Sequence, residues 1–370
     1  MKIKFRSINI AEILFLLSWT ILMAGKGMGY SATDIIYRNI SWAAIAFALM
    51  KVLITQYDRH ELIACILLNL LGILVWIFSG GTTVLMTMVI ITSMKGVDYK
   101  YVFKISLWIR GFMFVVRTSL AIMGILDDQH MSFYLNGGIR IRYALGFGHP
   151  NATHFNLFVV VVLCVLVYHY KLKTYHYLAL FLYNIYIFRY TDSRAGFLMT
   201  ALFIGVSFLA SRKYIGKFMW DVVARVANKA FIVTSAASII VSVLFWKVDI
   251  LRSWGTFSSR FGTAIYVMEN NLVNLFGTRG ISTDLGMVYF MYADGILFFM
   301  LFMLGYYILL KKYTKQSDIY FLLACCCYAV YCLSEAYADS ILMNVTLLAF
   351  GQLLYCSQRD EEIGRQKRLP

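Results

Sequence analysis

The stretch from Asn136 to His154 reads Asn-Gly-Gly-Ile-Arg-Ile-Arg-Tyr-Ala-Leu-Gly-Phe-Gly-His-Pro-Asn-Ala-Thr-His and interrupts a long succession of apolar runs. It gathers arginine, histidine and asparagine side chains around Pro150, one of only two prolines in the chain. Apolar runs with short connections precede and follow it. The stretch therefore indicates a boundary between membrane helices, and its polar side chains make it the first place to look for a site.

The composition decides the class of protein. Of 370 residues, 61% are apolar and 14% are charged, and the mean hydropathy is +0.70. A soluble domain has about 45–50% apolar and about 25% charged residues. At about 20 residues per crossing, the length predicts an all-α integral membrane protein, a polytopic bundle of about twelve transmembrane helices within a range of about ten to twelve. We expect one membrane domain over residues 1–370 and no soluble domain.

The apolar runs give approximate positions for these helices. They lie near Ile8–Gly25, Ile36–Ile54, Leu62–Phe78, Thr82–Met94, Tyr101–Leu126, Ala152–Tyr168, Tyr175–Tyr190, Arg194–Ala210, Ala230–Trp246, Met287–Leu310, Ile319–Ser334 and Asp339–Cys356. The fourth run is short for a full crossing, and the count changes if Leu62–Met94 does not form a helical hairpin. The basic Ser211–Lys229 segment is typical of an interfacial helix on anionic lipid.

The distribution of charge tests this arrangement. The net charge of +15 indicates, in a membrane protein, the excess of lysine and arginine on the cytoplasmic side rather than a nucleic-acid partner. Both termini are then predicted to be cytoplasmic, because most of the 34 lysines and arginines fall on that side. The exceptions lie in helices or on the outer side: Lys26, Arg38, Arg110, Arg117, Arg140, Arg142, Arg189, Arg194, Lys247, Arg252, Arg260 and Arg279. Most are arginine, which suits bidentate recognition of phosphate.

Two larger external loops, at about 127–151 and 247–286, are predicted to form an outer-facing cavity that carries the site. In the first loop, His149-Pro150-Asn151 stands where the sixth helix begins, and proline is common in the first turn of a helix. The free N–H groups and the positive dipole end of this helix would suit an anion, and Arg140 and Arg142 add charge. The alternative is a capped helix start whose arginines bind lipid headgroups.

Three further groups have two interpretations each. Arg189 and Arg194 flank Thr191-Asp192-Ser193, and an Asp192–Arg194 pair that tightens a turn is the alternative to a site. In the second loop, function is favoured for Arg260 and Arg279, whereas Arg252 is equally an interfacial anchor. Arg110 and Arg117 share one face of the fifth helix. They pair with Asp294 or Glu335 of another helix, or Arg117 lines the floor of the outer cavity.

Several short motifs, in order, resemble those of the Wzy polysaccharide polymerases, in the family that also contains the O-antigen ligases. They are Arg142 with Gly146-Phe-Gly-His-Pro-Asn151, Thr191-Asp-Ser-Arg-Ala-Gly196, Ser258-Ser-Arg260, Asp284 with Tyr289 and Gly295-Ile296, and Ser334-Glu-Ala-Tyr337 with Asn344. The resemblance covers about Arg142 to Asn344, while the first third of the chain is similar in hydropathy alone.

This resemblance implies an enzyme of the bacterial cytoplasmic membrane. It would join polyprenyl-diphosphate-linked oligosaccharide repeat units into capsule, exopolysaccharide or O-antigen by glycosyl transfer on the outer face. No cofactor and no metal is expected. The implied partners are the lipid-linked oligosaccharides, membrane lipids, and a chain-length regulator and a flippase of the same pathway.

The resemblance and the charges together give a set of site residues. We expect Arg142, Arg194, Arg260 and Arg279 to hold the diphosphates, and Asp284 or His149 to act as the general base. Further substrate contacts are expected from Arg140, Asn151, His154, Arg117 and Glu335. The ligases of the family carry a histidine where this chain has Asp284, which favours a polymerase.

Two other functions fit part of the sequence. A ligase would transfer the finished glycan to a different acceptor. A transporter or flippase of lipid-linked oligosaccharide would also explain the helices together with Arg110 and Arg117. Transporters often have proline- or glycine-broken helices near the midplane in both halves, whereas the polar groups of this chain are predicted on the outer side.

Overall fold

The computed structural model describes residues 9–30, 34–135, 138–248 and 255–355. Arg252 and both chain ends, with their predicted cytoplasmic charges, lie outside these residues. The protein is an all-α membrane protein with one small hairpin. Seven helices of the described part are long and apolar enough to cross a membrane, and four further apolar helices are shorter.

Five helices form the first part of the bundle. They are α1 (Ile10–Gly27), α2 (Ile35–Ile54), α3 (Arg59–Ser79), α4 (Thr83–Thr92) and α5 (Tyr99–Ile122). Asp58 begins α3 with a capping box to Glu61, an arrangement that satisfies two free N–H groups. Gly80 ends α3 in the left-handed conformation at φ 77°. Helices α3 and α4 pack against each other and form the predicted helical hairpin. Every residue of α4 after Thr83 is buried.

A β-hairpin stands between α5 and α6, where a loop was predicted. Strand β1 (His130–Leu135) pairs antiparallel with β2 (Gly138–Tyr143), with Met131 opposite Arg142. Alternating apolar and polar residues around Asn136-Gly137 are typical of a two-residue hairpin. Side chains alternate between the faces of a strand, so Arg140 and Arg142 share one face, while Ile139 and Ile141 are exposed on the other.

The middle helices follow the predicted apolar runs closely. They are α6 (Pro150–Tyr168), α7 (Thr174–Thr191), α8 (Arg194–Ala210), α9 (Lys213–Val226) and α10 (Ala230–Lys247). Helix α8 has the predicted bounds, and α9 is the amphipathic helix predicted for the basic segment. The N-termini of α6 and α8 and the C-terminus of α7 meet at the same end of the bundle as β2.

The last third departs most from prediction. It contains α11 (Gly255–Asn270), α12 (Gly286–Tyr289) with a π-turn over Phe290–Asp294, α13 (Ile296–Gln316), α14 (Ile319–Tyr331), a 3-10 turn (Val345–Ala349) and α15 (Phe350–Leu354). Helix α11 occupies part of the predicted external loop. The predicted helix Met287–Leu310 is interrupted at Gly295, whose φ of 91° brings its backbone against Gly277.

Residues 332–344 are irregular, although a helix was predicted from Asp339 onward. The side chain of Asn344 donates to Tyr306 Oη at 2.7 Å and to the carbonyl of Ala338 at 2.9 Å, and it accepts from Thr346 Oγ1 at 2.6 Å. These bonds give buried polar groups partners that a helix would supply from its backbone. The irregular segment carries Glu335 to the end of the bundle where the hairpin lies.

Candidate functional site

Arg142 of β2 fixes the hairpin to three helices. Its Nε donates to the carbonyl of Thr191 at 2.9 Å, and its Nη2 donates to Asn151 Oδ1 at 2.7 Å. The same amide oxygen accepts from Ser193 Oγ at 3.0 Å. The hairpin, the start of α6 and the turn between α7 and α8 are therefore joined at one point. Ser193 is the N-cap residue of α8, but its hydroxyl makes no capping hydrogen bond and serves this junction instead.

Arg140 forms an ion pair with Asp192. Asp192 adopts a φ of 43° in the turn between α7 and α8, a conformation that aspartate tolerates better than most residues. The Asp192–Arg194 pair considered from the sequence is therefore replaced by a pair between the turn and the hairpin. Arg194 lies exposed as the first residue of α8.

Arg260 of α11 organises the other side of this end of the bundle. Its Nη1 donates to the carbonyl of Ser334 at 2.5 Å, and its Nη2 donates to Glu335 Oε1 at 3.4 Å. Its Nε lies 3.8 Å from Asp284 Oδ2. One guanidinium thus links α11, the segment before α12 and the irregular segment after α14.

The residues around Arg142 and those around Arg260 lie close enough for their charges to interact. Burial lowers the pKa of Arg142, as do the positive charges of Arg140, Arg260 and Arg194, whereas Glu335 raises it. We call the set Arg140, Arg142, Arg194 and Arg260 the arginine cluster. Asp192, Asp284 and Glu335 are the carboxylates that adjoin it.

His149 caps α6 beside the cluster. Its Nδ1 accepts the N–H of Asn151 at 3.0 Å, so in the neutral ring the proton is carried by Nε2. Burial lowers the pKa of His149, Arg142 and Arg260 lower it further, and Asp284 opposes them. The half-buried imidazole is therefore a neutral hydrogen-bond donor at neutral pH.

Arg117 lies beneath the turn that precedes His149. Its Nε donates to the carbonyl of Gly146 at 2.5 Å, and its guanidinium carbon lies 5.8 Å from the centre of the Phe147 ring. Asp128 Oδ1 accepts the N–H of the same residue, Gly146, at 3.1 Å. Arg117 thus holds the backbone of this turn and does not extend into the arginine cluster.

His154 is fully buried between α6 and α7. Its Nδ1 is 2.7 Å from Thr191 Oγ1, and its Nε2 is 2.9 Å from Asn184 Oδ1. A Cβ atom on Gly196 of α8 would collide with the Cβ of His154. Both ring nitrogens are therefore occupied by hydrogen-bond partners within the bundle.

Arg279 lies apart from the cluster. Its Nη2 donates to the carbonyl of Ile77 at 3.0 Å, at the C-terminus of α3. Trp76, Ser79 and Gly80 line a shallow pocket with it. No hydrogen bond or ion pair within the described ranges joins Arg279 to the other predicted phosphate ligands.

Arg110 is buried inside the bundle. Its Nη2 approaches Met343 Sδ at 3.3 Å, while Nε and Nη1 have no hydrogen-bond partner among the described residues. Neither Asp294 nor Glu335, its predicted partners, makes a salt bridge to it in the part of the chain that the structure describes. Lys26 and Asp339 are charged neighbours in the same region, and Asp339 also interacts with Asp294.

The structure thus brings together most of the predicted site residues: Arg140, Arg142, Arg194, Arg260, His149, Asn151, Asp284 and Glu335. It separates Arg117 and Arg279 from them, and His154 lies behind Thr191, which also accepts from Arg142. No sequence pattern indicated that the Ser334 carbonyl would bind Arg260, because that contact depends on the irregular segment. The membrane-embedded, all-α class follows from the chain's own helices; no protein-family model, curated protein or solved structure matches this chain.

Proposed function

We propose that this chain polymerises polyprenyl-diphosphate-linked oligosaccharide repeat units by glycosyl transfer on the outer face of the bacterial cytoplasmic membrane. The observation that carries the proposal is the meeting of the four guanidinium groups of the arginine cluster with three carboxylates at one end of the bundle. The order of the motifs quoted above supports the same assignment by resemblance.

The charges of the cluster suit a diphosphate. Asp192 pairs with Arg140, and Asp284 and Glu335 adjoin Arg260, so three carboxylates stand against four guanidinium groups. Positive charge therefore exceeds negative charge at the helix starts. The N-termini of α6 and α8 add the favourable dipole ends of two helices. Arginine binds such oxyanions bidentately.

A membrane-anchored substrate fits the same end of the bundle. Helix α8 begins at Arg194 and exposes Leu198 and Leu202 along its length, as expected of a helix that contacts lipid chains. A diphosphate held at the helix starts would leave its polyprenyl chain alongside these helices and its glycan in water. In the proposed topology of about twelve helices with cytoplasmic termini, the hairpin end is external, and α9 lies at the cytoplasmic interface.

The proposed reaction needs the charge on the leaving group to be stabilised. A hydroxyl of the incoming repeat unit attacks the anomeric carbon of the growing glycan, and the bond from that carbon to the diphosphate breaks. Negative charge develops on the departing phosphate oxygen, where the fixed guanidinium groups stabilise it. Arg142 is held by two acceptors, so its orientation is set before the substrate arrives.

An extension assay tests the proposal. Purified chain in lipid nanodiscs is given lipid-linked repeat units, and glycan length is followed on gels. We expect wild type to extend the glycan and Arg142→Ala or Arg194→Ala to stop it. Arg189→Ala, an exposed arginine near the end of α7 that makes none of the contacts above, is the matched control and should retain extension. Full-length polymer from both cluster variants at normal protein level would refute the diphosphate site.

A transporter of lipid-linked oligosaccharide is the second candidate. The observation that favours it is the buried ionisable group formed by Lys26, Arg110, Asp294 and Asp339, because charge inside a bundle commonly marks a transport path. Vesicles that translocate the lipid-linked substrate without lengthening its glycan would favour this candidate over the polymerase. A ligase would instead add the glycan to a different acceptor in the extension assay.

A further inference from the structure

Two carboxylates share Arg260, but their surroundings differ. The side chain of Asp284 is 54% exposed, whereas that of Glu335 is 5% exposed. Asp284 approaches Arg260 Nε at 3.8 Å, and Glu335 accepts from Nη2 at 3.4 Å. The two groups therefore hold one guanidinium from two directions, with Asp284 toward solvent and Glu335 toward the interior.

Burial has a direct effect on the acidity of Glu335. It raises the pKa of this carboxyl to about 7, and the negative charge of Asp284 acts in the same direction, while Arg260 and Arg142 oppose the change. The tyrosines at 331 and 337 also lie within the field of Glu335. A carboxyl that exchanges its proton near neutral pH is matched to general-base catalysis.

His149 is suited to a different role. Its Nδ1 lone pair is occupied by the N–H of Asn151, so it cannot accept a proton without losing the cap of α6. Its Nε2–H remains available as a donor beside Arg142 and Arg260, the two arginines whose charges act on it. Hydrogen-bond donors fixed at the point where negative charge develops stabilise a transition state.

We infer that Glu335 is the general base of the glycosyl transfer and that the Nε2–H of His149 donates to the departing phosphate oxygen. This inference rests on the proposed function. The Glu335 carboxylate removes the proton of the acceptor hydroxyl as that oxygen bonds to the anomeric carbon. The electron pair of the broken carbon–oxygen bond stays on the diphosphate, which leaves as an anion. Glu335 then releases its proton to water.

Asp284 becomes a positioning residue in this scheme. Its contact with Arg260 Nε orients the guanidinium whose other nitrogens reach Ser334 and Glu335. Asp284 also raises the pKa of Glu335. Loss of its charge should therefore change both the rate and the pH at which Glu335 ionises, without removing the base.

The experiment measures extension rate against pH for wild type, Glu335→Gln, Asp284→Asn and the exposed control Glu269→Gln on α11. For wild type we expect the rate to fall about tenfold per pH unit below about pH 7, as for any essential base. Glu335→Gln should lower the rate at least about 100-fold and remove this acid limb. The glutamine oxygen can still accept from Arg260, so binding of a polyprenyl diphosphate should remain within about threefold.

The controls separate the base from a purely structural carboxylate. Asp284→Asn should keep an acid limb shifted to lower pH, and Glu269→Gln should match wild type. A Glu335→Gln enzyme that extends glycan with an unchanged acid limb would overturn the inference, as would loss of the limb in Asp284→Asn alone. Wild type that binds the lipid diphosphate but never extends glycan would instead overturn the proposed function.

Discussion

Arg142 and Asn151 are joined by a 2.7 Å hydrogen bond from the guanidinium to the side-chain amide oxygen. The bond links the second strand of the hairpin to the first turn of α6. Because Ser193 donates to the same oxygen, the orientation of Arg142 depends on a neutral acceptor shared by two helices. An amide oxygen fixes the arginine without placing a negative charge on it.

Asn151→Asp tests this point. A carboxylate would keep both hydrogen bonds, and in the first turn of a helix it should stabilise the protein by about 0.3–1 kcal/mol. It would also add a negative charge beside Arg142, so we expect affinity for polyprenyl diphosphate to fall about tenfold, equivalent to about 1.4 kcal/mol. Thermal unfolding and binding titrations in nanodiscs measure the two effects. Unchanged affinity would show that the Arg142 charge does not contribute to the site.

His149→Asn and His149→Ala form a second pair of predictions. Asparagine is among the best helix N-caps, whereas alanine at this position costs about 1 kcal/mol of stability. Neither residue supplies the Nε2–H, so both variants should extend glycan about 100-fold more slowly. Melting temperature separates the cap from the donor, because only the alanine variant should be destabilised. Wild-type rates from the asparagine variant would contradict a donor role for His149.

Arg279→Ala should have a smaller effect than Arg194→Ala. The Arg279 guanidinium donates to the carbonyl of Ile77, and a cation at a helix C-terminus is worth about 0.3–1 kcal/mol. We therefore expect a small loss of thermal stability and a diphosphate affinity within about threefold of wild type, against a loss of about tenfold for Arg194→Ala. Equal losses of affinity in the two variants would place Arg279 at the diphosphate.

Helices formed by long apolar runs could be predicted from the sequence. A helix break and an irregular segment that depend on particular contacts could not. Helix α8 begins at Arg194 and ends at Ala210 as predicted, because long apolar runs admit few other structures in lipid. The break at Gly295 depends on backbone packing against Gly277, and the irregular segment depends on the bonds of Asn344. The Gly295–Gly277 and Asn344–Tyr306 contacts join residues that are distant in sequence.

The candidate site shows the same division. The excess of arginine was visible in the sequence, and the structure places Arg142 near Arg194 and Arg260. Arg279 was predicted on the same grounds, but its side chain lies against the C-terminal end of α3. The fold, and not the composition, decides which arginines meet. The hairpin had a recognisable signal in Asn136-Gly137 and the alternation of Ile139-Arg140-Ile141-Arg142. Because the segment between α5 and α6 has no long apolar run, we expected a loop there.

The strand register of the hairpin sets the positions of Arg140 and Arg142 together. Arg140 and Arg142 occupy alternate positions of β2, opposite Phe133 and Met131 of β1. Slipping the register by one residue turns every side chain of a strand to its other face, so both guanidinium groups would leave Asp192 and Asn151 together. A single inserted residue in β2 should therefore abolish the Arg140–Asp192 ion pair and the Arg142–Asn151 hydrogen bond in one step, and a compensating deletion within the same strand should restore both.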